Sequence, residues 1–144
     1  AMTKAGVLVG LGTDAMTVNM LEEMRVALWA QHLKHDPSQG FVEALAPLLT
    51  NNATIANRYW KTPVGILAEG HAGDVVLMDY EPPTPFDEGT FLGHMAFGVP
   101  HAPVDTTICG GAVLMENKKL MLDIDEREVA AKGRELATKL WERF

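Results

Sequence analysis

The stretch that most constrains this chain runs from Val7 to Met16 and reads VLVGLGTDAM. A short apolar run with glycines at its end is typical of a buried parallel strand that presents one side chain at its C-terminal edge. The side chain presented here is the carboxylate of Asp14. A carboxylate in this place can bind a metal, move a proton or cap the helix that follows. Spacing alone favours the helix cap, so the role of Asp14 depends on the rest of the chain.

Composition indicates one globular unit and excludes several kinds of partner. The 144 residues are 47% hydrophobic and 22% charged, which is enough apolar surface to bury a core. The net charge of −7, with no basic run, argues against nucleic-acid and anionic-membrane partners. No apolar stretch approaches the roughly 20 residues of a membrane span, and no signal peptide is visible. The single cysteine, Cys109, fits a reducing compartment, so we expect a cytoplasmic protein.

The first half of the chain predicts helices. Residues 17–35 carry two apolar strips at helical spacing, so we expect a helix that is covered on both sides. Residues 44–51 predict a short helix with Pro47 in its first turn, where the missing N–H costs nothing. Asn52 then predicts the N-cap of a further helix.

The second half of the chain predicts strands and a final helix. Residues 74–80 and 104–109 are rich in β-branched and apolar side chains, which favour strands. Gly110 and Gly111 predict a hairpin turn that leads into a returning strand over residues 112–115. An amphipathic helix is expected after residue 125.

These patterns predict a mixed α/β chain with two regions. Residues 1–64 hold one parallel-type strand and helices, and residues 65–144 hold a strand-rich region closed by a helix. One parallel strand with its helix is not a complete sheet. In a monomer this strand and the two-sided helix would be exposed, and such surfaces favour pairing with another copy. We therefore expect a homo-oligomer.

The remaining residues with chemical potential have ordinary structural explanations. His32 and His35 lie three apart on a helix, but two surface histidines are more often solvated than bound to a metal. His94 and His101 flank a Gly-Pro loop and are expected to be loop residues. Cys109, inside a β-branched strand, is expected to be a small core residue.

Five segments follow one another along the chain in an order that is typical of one enzyme family: GLGTDAM, a long helix, NNATIANRYW, PVGILAEGHAGDVVLMDY and TTICGGAVLM. Together they resemble the C-terminal part of the amidohydrolase superfamily, over nearly the whole chain. The likeness is greatest to the aminohydrolase and chlorohydrolase branch, which includes deaminases of small heterocycles. It implies that residues 1–64 form the last strand–helix unit of a (β/α)8 metal-dependent hydrolase barrel. Residues 65–144 would form part of a small β-sandwich domain.

The resemblance also implies a role for Asp14. The Gly-Thr-Asp of the family falls on residues 12–14, at the end of the eighth barrel strand. By that match Asp14 is both a metal ligand and the catalytic carboxylate that moves the proton of the hydrolytic water. The cofactor would be a divalent metal, zinc or iron, and the substrate a small heterocycle whose C–N or C–Cl bond is hydrolysed. The match therefore favours a ligand over a helix cap.

The chain departs from the family pattern in its histidines. The other metal ligands of the family are a His-x-His pair and two further histidines, whereas this chain has no His-x-His and its five histidines all follow Asp14. We therefore expect a fragment, about the last third of such an enzyme. Catalytic zinc needs three or more protein ligands, so alone the chain is expected to lack a tight metal site and hydrolase activity. The alternative is a non-catalytic domain that folds by self-association.

Overall fold

The computed structural model describes residues 2–38 and 40–144 of the chain. The helices are α1 (Met20–Lys34), α2 (Phe41–Ala46), α3 (Asn52–Ala56), α4 (Phe91–Phe97) and α5 (Glu126–Trp141). The strands are β1 (Val75–Met78), β2 (Val104–Cys109), β3 (Ala112–Glu116) and β4 (Lys119–Leu120). Shorter helical turns span Thr3–Ala5, Pro47–Asn51 and Val99–His101. None of the helices described is long and apolar enough to cross a membrane.

Helix α1 is the centre of the helical part. It begins at Met20 because the side-chain oxygen of Asn19 accepts hydrogen bonds from the backbone N–H groups of the first turn, which otherwise lack partners. One face of α1 packs against α2 and α4. The buried residues of this contact form the core: Met24, Leu28, Ala44, Leu45 and Ala96. The opposite strip is open, with Trp29 46% and Leu33 91% exposed, so the described residues cover α1 on one side rather than two.

The helical path after α1 differs from the sequence prediction. It starts at Phe41, earlier than expected, and continues through α2, a π-helical turn and α3 to Ala56. Pro47 opens the π turn in the middle of this path instead of opening a helix. Because proline has no N–H to donate to the carbonyl four residues back, the path widens there rather than stopping. Asn52 consequently lies inside the path, and its side chain is not an N-cap.

Strands β1 to β4 form one antiparallel sheet in chain order. The strand predicted over residues 104–109 is confirmed, and so is the hairpin at Gly110 and Gly111, whose φ angles are 57° and 81°. Positive φ at both central residues is the mark of the tight type I′ turn, which matches the twist of the joined strands. The chain is therefore mixed α/β with one small sheet.

The strand predicted over residues 7–11 is not formed within the described part of the chain. Residues 7–13 belong to neither a helix nor a strand, and the four-stranded sheet does not include them. A β-strand exists only through hydrogen bonds to a neighbouring strand, and the apolar pattern of Val7 to Leu11 does not supply that neighbour. The structure nevertheless packs Leu11 against the core of α1 and α2.

Helix α4 joins the helical part to the loop after β1 through His94. This histidine is buried within α4, so the expectation of a loop residue is wrong. Its Nε2 lies 3.1 Å from the carbonyl oxygen of Pro85, and its Nδ1 lies 2.5 Å from the hydroxyl of Tyr80. A carbonyl can only accept, so Nε2 carries the proton and the Tyr80 hydroxyl donates to Nδ1. Tyr80 in turn packs directly on Gly98, just after α4.

Helix α5 stands apart from the rest of the described chain. The carboxylate of Asp125 caps its first turn, as the acidic run before the helix predicts. Hydrogen bonds from the ammonium groups of Lys132 and Lys139 hold the pKa of the Glu135 carboxyl below its ordinary value. None of the helix residues is buried. The apolar face of α5 is therefore exposed: Val129, Leu136, Leu140 and Trp141.

Two glycines of the α4 region test this packing as a pair. A methyl group at Gly98 would overlap the hydroxyl of Tyr80, whereas one at Gly93, inside α4, would meet no atom within 4 Å. We expect Gly98→Ala to lower the free energy of unfolding by about 1–3 kcal/mol through overpacking. Gly93→Ala should raise it by about 0.5–1 kcal/mol through helix propensity. Urea unfolding followed by circular dichroism measures both, and equal midpoints for the two variants would contradict the described contact.

Candidate functional site

Asp14 lies in a tight turn from Thr13 to Met16. The backbone N–H of Met16 donates to the carbonyl oxygen of Thr13 at 3.0 Å, which closes the turn. Asp14 and Ala15 both have positive φ, 53° and 58°, a region that residues other than glycine seldom adopt, although aspartate does so more readily than alanine. Each such residue costs on the order of 1–3 kcal/mol, and strain of this kind is concentrated at functional sites. The turn thus holds Asp14 in a conformation that the chain does not favour by itself.

The carboxylate of Asp14 is exposed and does not cap α1. The helix cap is Asn19, five residues later in the chain. The interpretation of Asp14 as a helix cap, which spacing alone favoured, is therefore wrong. The sequence did not separate the two residues because Asp and Asn are about equally good caps and both precede the apolar pattern of α1.

The segment that leads to Asp14 is held by two asparagine side chains. Asn52 accepts a hydrogen bond from the N–H of Leu11 at 2.9 Å and donates one to the carbonyl oxygen of Leu11 at 3.0 Å. Asn51 donates to the carbonyl oxygen of Val9 at 2.8 Å. Sequence analysis missed this function of the pair. A signal was present, since two adjacent asparagines are poor helix formers and yet lie in a helical stretch.

Gly10 leaves space for this contact. A methyl group on its Cα would overlap the side-chain oxygen of Asn52 and would lie 2.9 Å from Cδ1 of Ile55. Gly12, by comparison, has nothing within 4 Å of its missing side chain. Gly10 therefore allows the Asn52 side chain to approach the backbone, whereas Gly12 faces open space.

The described residues do not complete a metal site around Asp14. Within residues 2–38 and 40–144, no three side chains of His, Cys, Asp or Glu come together in an arrangement that could hold a metal ion. His32 is directed at the ring of Phe41, and His94 is engaged with Tyr80 and Pro85. A catalytic zinc centre needs three or more protein ligands, and this chain brings one carboxylate to the place. A metal would fit here only with ligands that the described residues do not provide.

Two open grooves lie elsewhere on the surface, and Asp14 lines neither of them. One, of about 420 Å³ beside α4, is lined in part by Tyr80, Thr84, Thr90, His94 and Phe97. The other, of about 770 Å³ near the start of β1, is lined in part by Tyr59, Trp60, Lys61, Asp74 and Cys109. Cys109 is exposed, so the expectation of a core residue is wrong: β2 ends there at the surface hairpin.

Comparison with known sequences identifies the family. The sequence profile of the Amidohydrolase family matches residues 1–114 of this chain. The chain belongs to this family. The match includes Asp14, the asparagine pair and the sheet as far as β3, and it ends before α5.

Several relatives of this amidohydrolase chain carry the same name. A 5-methylthioadenosine/S-adenosylhomocysteine deaminase of Pelotomaculum thermopropionicum is 34% identical over 146 residues, covering 96% of this chain and 33% of the relative. One of Archaeoglobus fulgidus is 30% identical over 145 residues, covering 97% of this chain and 34% of the relative. The chain thus spans about a third of the length of the curated relatives it matches.

Solved structures show that the fold is shared with a chlorohydrolase of the triazine type. A mutant of the atrazine chlorohydrolase from Arthrobacter aurescens TC1, complexed with zinc and atraton, superposes with a TM-score of 0.69 at 23% identity. The superposition covers 93% of this chain and 30% of that one. A triazine hydrolase variant gives a TM-score of 0.67, also at 23% identity, over 92% of this chain and 30% of its own. At this identity the likeness concerns the fold alone.

The strain in the Asp14 turn gives a testable prediction. Ala15→Gly should raise the free energy of unfolding by about 0.5–1 kcal/mol, because relief of the positive φ exceeds the entropy that glycine adds to the unfolded chain. The matched control is Ala30→Gly on the exposed side of α1, which should lower it by about 1 kcal/mol. Chemical denaturation measures both. A loss of stability in Ala15→Gly equal to that of Ala30→Gly would show that the turn is not strained.

Proposed function

We propose that this chain is the C-terminal part of a metal-dependent amidohydrolase that hydrolyses a C–N or C–Cl bond of a small heterocycle, with Asp14 at its active site. The observation that carries the proposal is the turn from Thr13 to Met16. It presents an exposed carboxylate that caps no helix, in a strained conformation, inside the segment that matches the family. A carboxylate with no structural duty, held at a cost in free energy, fits a catalytic role.

Residues 1–64 are proposed to be the last strand–helix unit of the hydrolase barrel, and residues 65–144 part of the β-sandwich. The open strip of α1 around Trp29 and Leu33 supports this assignment. A barrel helix packs an apolar face against the barrel strands, and this strip is an apolar face that the described residues leave uncovered. Residues 7–13 would be the barrel strand of this unit, and no described strand pairs with them.

Deamination of a purine nucleoside is the reaction that the comparisons favour. Relatives that are 30–34% identical over almost the whole chain are named as deaminases of 5-methylthioadenosine and S-adenosylhomocysteine. Both compounds carry an exocyclic amine on a purine ring. The chlorohydrolase likeness is a matter of fold at 23% identity and supports dechlorination less. We therefore place a 6-aminopurine nucleoside first and a chlorinated triazine second.

Asp14 supplies one metal ligand in this proposal, and the other ligands come from residues outside those described. A divalent metal, when bound, supplies a water that is more readily deprotonated. The part played by this chain is proton transfer: a carboxylate oxygen of Asp14 takes the proton of the attacking water and returns it to the leaving amine. The exposure of the carboxylate leaves it accessible to both groups.

Self-association without catalysis is the second candidate, and a specific observation favours it. Helix α5 exposes its whole apolar face, and none of its residues is buried. Apolar patches of this kind mark contacts with another protein surface. Under either candidate we propose a cytoplasmic location and a homo-oligomeric assembly. We also propose no contact with nucleic acid or membrane, because the net charge of −7 disfavours binding to anionic surfaces.

The catalytic proposal is tested in the complete reading frame that contains this chain. The protein that this reading frame encodes, loaded with zinc, should release ammonia from 5′-methylthioadenosine. Asp14→Asn should lower its kcat by about 10²–10⁴-fold because the proton carrier is lost. The control variant Asp123→Asn removes another exposed carboxylate and should leave kcat unchanged. The 144-residue chain alone, given zinc, should show no turnover.

Three results would contradict this proposal. Turnover by the zinc-loaded 144-residue chain would show that one carboxylate is enough. Full activity in Asp14→Asn would remove Asp14 from the reaction. A reading frame with nothing beyond this chain would favour the second candidate.

Self-association is tested by the mass of the chain in solution. Light scattering at micromolar concentration should give a multiple of the 15.7 kDa chain mass. Leu136→Lys and Leu140→Lys, on the apolar face of α5, should shift the mass towards one chain if that face forms the contact. Ala131→Lys adds the same charge on the opposite side of α5 and is the control, which should leave the mass unchanged. A mass of one chain for the unaltered protein would exclude association at this concentration.

A further inference from the structure

We infer that Asn52 is a positioning residue for Asp14. The inference rests on the proposed function, since it concerns the same carboxylate. Asn52 lies 41 residues from Leu11 in the chain, and Leu11 lies three residues before Asp14. By fixing the backbone at Leu11, the Asn52 side chain determines where the turn begins and hence where the carboxylate stands.

The contact occupies both polar backbone groups of Leu11. One side-chain amide binds both polar groups of a single backbone residue: it accepts from the N–H of Leu11 at 2.9 Å and donates to its carbonyl oxygen at 3.0 Å. A paired residue in an antiparallel ladder makes the same two bonds with its partner. Two bonds from a planar amide fix orientation as well as position, which a single hydrogen bond does not.

The support behind Asn52 is rigid. The residue lies in the helical path that runs from Phe41 to Ala56, and this path contributes Leu45, fully buried, to the core. Leu11 itself packs on the same core. The amide and its target are therefore attached to one packed body. A shift of the segment by one residue would lose both hydrogen bonds and move Leu11 off the core.

Asn51 provides an internal comparison. Its side chain makes one bond to the segment, to the carbonyl oxygen of Val9, two residues earlier than the contact of Asn52, and its oxygen accepts from the neighbouring hydroxyl of Thr50. A purely structural function, the satisfaction of buried backbone groups, would make the two asparagines similar in effect. A positioning function makes Asn52 the more important for the reaction, because it is closer to the turn and binds both groups of one residue.

Hydrogen exchange in the 144-residue chain tests the contact itself, without any metal or substrate. In Asn52→Leu the Leu11 amide should exchange about fivefold faster, since its acceptor is lost and a hydrogen bond contributes about 1 kcal/mol. The amide of Leu28, in the core of α1, should keep its protection. In Asn51→Leu the Leu11 amide should exchange as in the unaltered chain. Unchanged exchange of Leu11 in Asn52→Leu would overturn the inference.

A second route reaches the same contact without altering Asn52. Gly10→Ala places a methyl group where the Asn52 side-chain oxygen lies, whereas Gly12→Ala places one in open space. Gly10→Ala should accelerate exchange of the Leu11 amide as Asn52→Leu does, and Gly12→Ala should not. In the double variant of Gly10 and Asn52 the Leu11 amide should exchange little faster than in either single variant, because both changes remove the same hydrogen bond. If Asn52→Leu fails to fold, Gly10→Ala decides the question.

Kinetics of the complete reading frame test the consequence for Asp14. Asn52→Leu and Gly10→Ala should lower kcat by about 10- to 100-fold with KM changed by less than about threefold, since a misplaced catalytic group loses rate rather than binding. Asn51→Leu should stay within about threefold in kcat. If Asp14→Asn abolishes activity while Asn52→Leu keeps it, the positioning inference is wrong and the proposed function stands. If Asp14→Asn keeps activity, the proposed function is wrong whatever Asn52 does.

Discussion

Residues 7–13 lie beside a helical core and have no neighbouring strand among the described residues. Their backbone N–H and carbonyl groups must still find hydrogen-bond partners. Asn51 and Asn52 supply three of these bonds from the middle of a helical path. The rest of the site depends on this arrangement. Leu11 can pack on the core only if its polar backbone is satisfied, and Asp14 follows Leu11 at a fixed distance along the chain.

The distribution of buried side chains fits a chain that is one part of a larger packed body. The buried core of α1, α2 and α4 consists of one methionine, two leucines and two alanines, with no aromatic residue among them. The three tryptophans, Trp29, Trp60 and Trp141, lie outside it, and each is more than 40% exposed. A domain of this size ordinarily buries such side chains because they contribute most to the hydrophobic free energy.

Local signals in the sequence were enough to predict the hairpin of β2 and β3 and the last helix. Gly110 and Gly111 determine a hairpin by their conformational freedom, and Asp125 determines where α5 begins. The residues that were misjudged depend on distant partners. The run from Val7 to Leu11 has the composition of a strand, but strand formation needs a neighbour that composition does not reveal. His94 was expected to be a loop residue, but it lies buried in α4 and is hydrogen-bonded to the hydroxyl of Tyr80, 14 residues away in the chain.

The candidate site shows the same division. The position of Asp14 after an apolar run suggested a presented carboxylate, but neither its strained turn nor its separation from the helix cap was visible in the spacing. The function of Asn52 was also hidden, because an asparagine before a helical pattern looks like an N-cap. Only the fold places its amide on Leu11, 41 residues away.

The strained turn is stable because it is anchored on both sides. Two residues at positive φ cost on the order of 1–3 kcal/mol each, and a free loop would relax to avoid this. On one side the two bonds of Asn52 hold Leu11, and on the other the Asn19 cap fixes the start of α1. Between these anchors the hydrogen bond from the N–H of Met16 to the carbonyl oxygen of Thr13 closes the turn. The turn is therefore held by contacts that the carboxylate of Asp14 does not make, and that residue stays exposed.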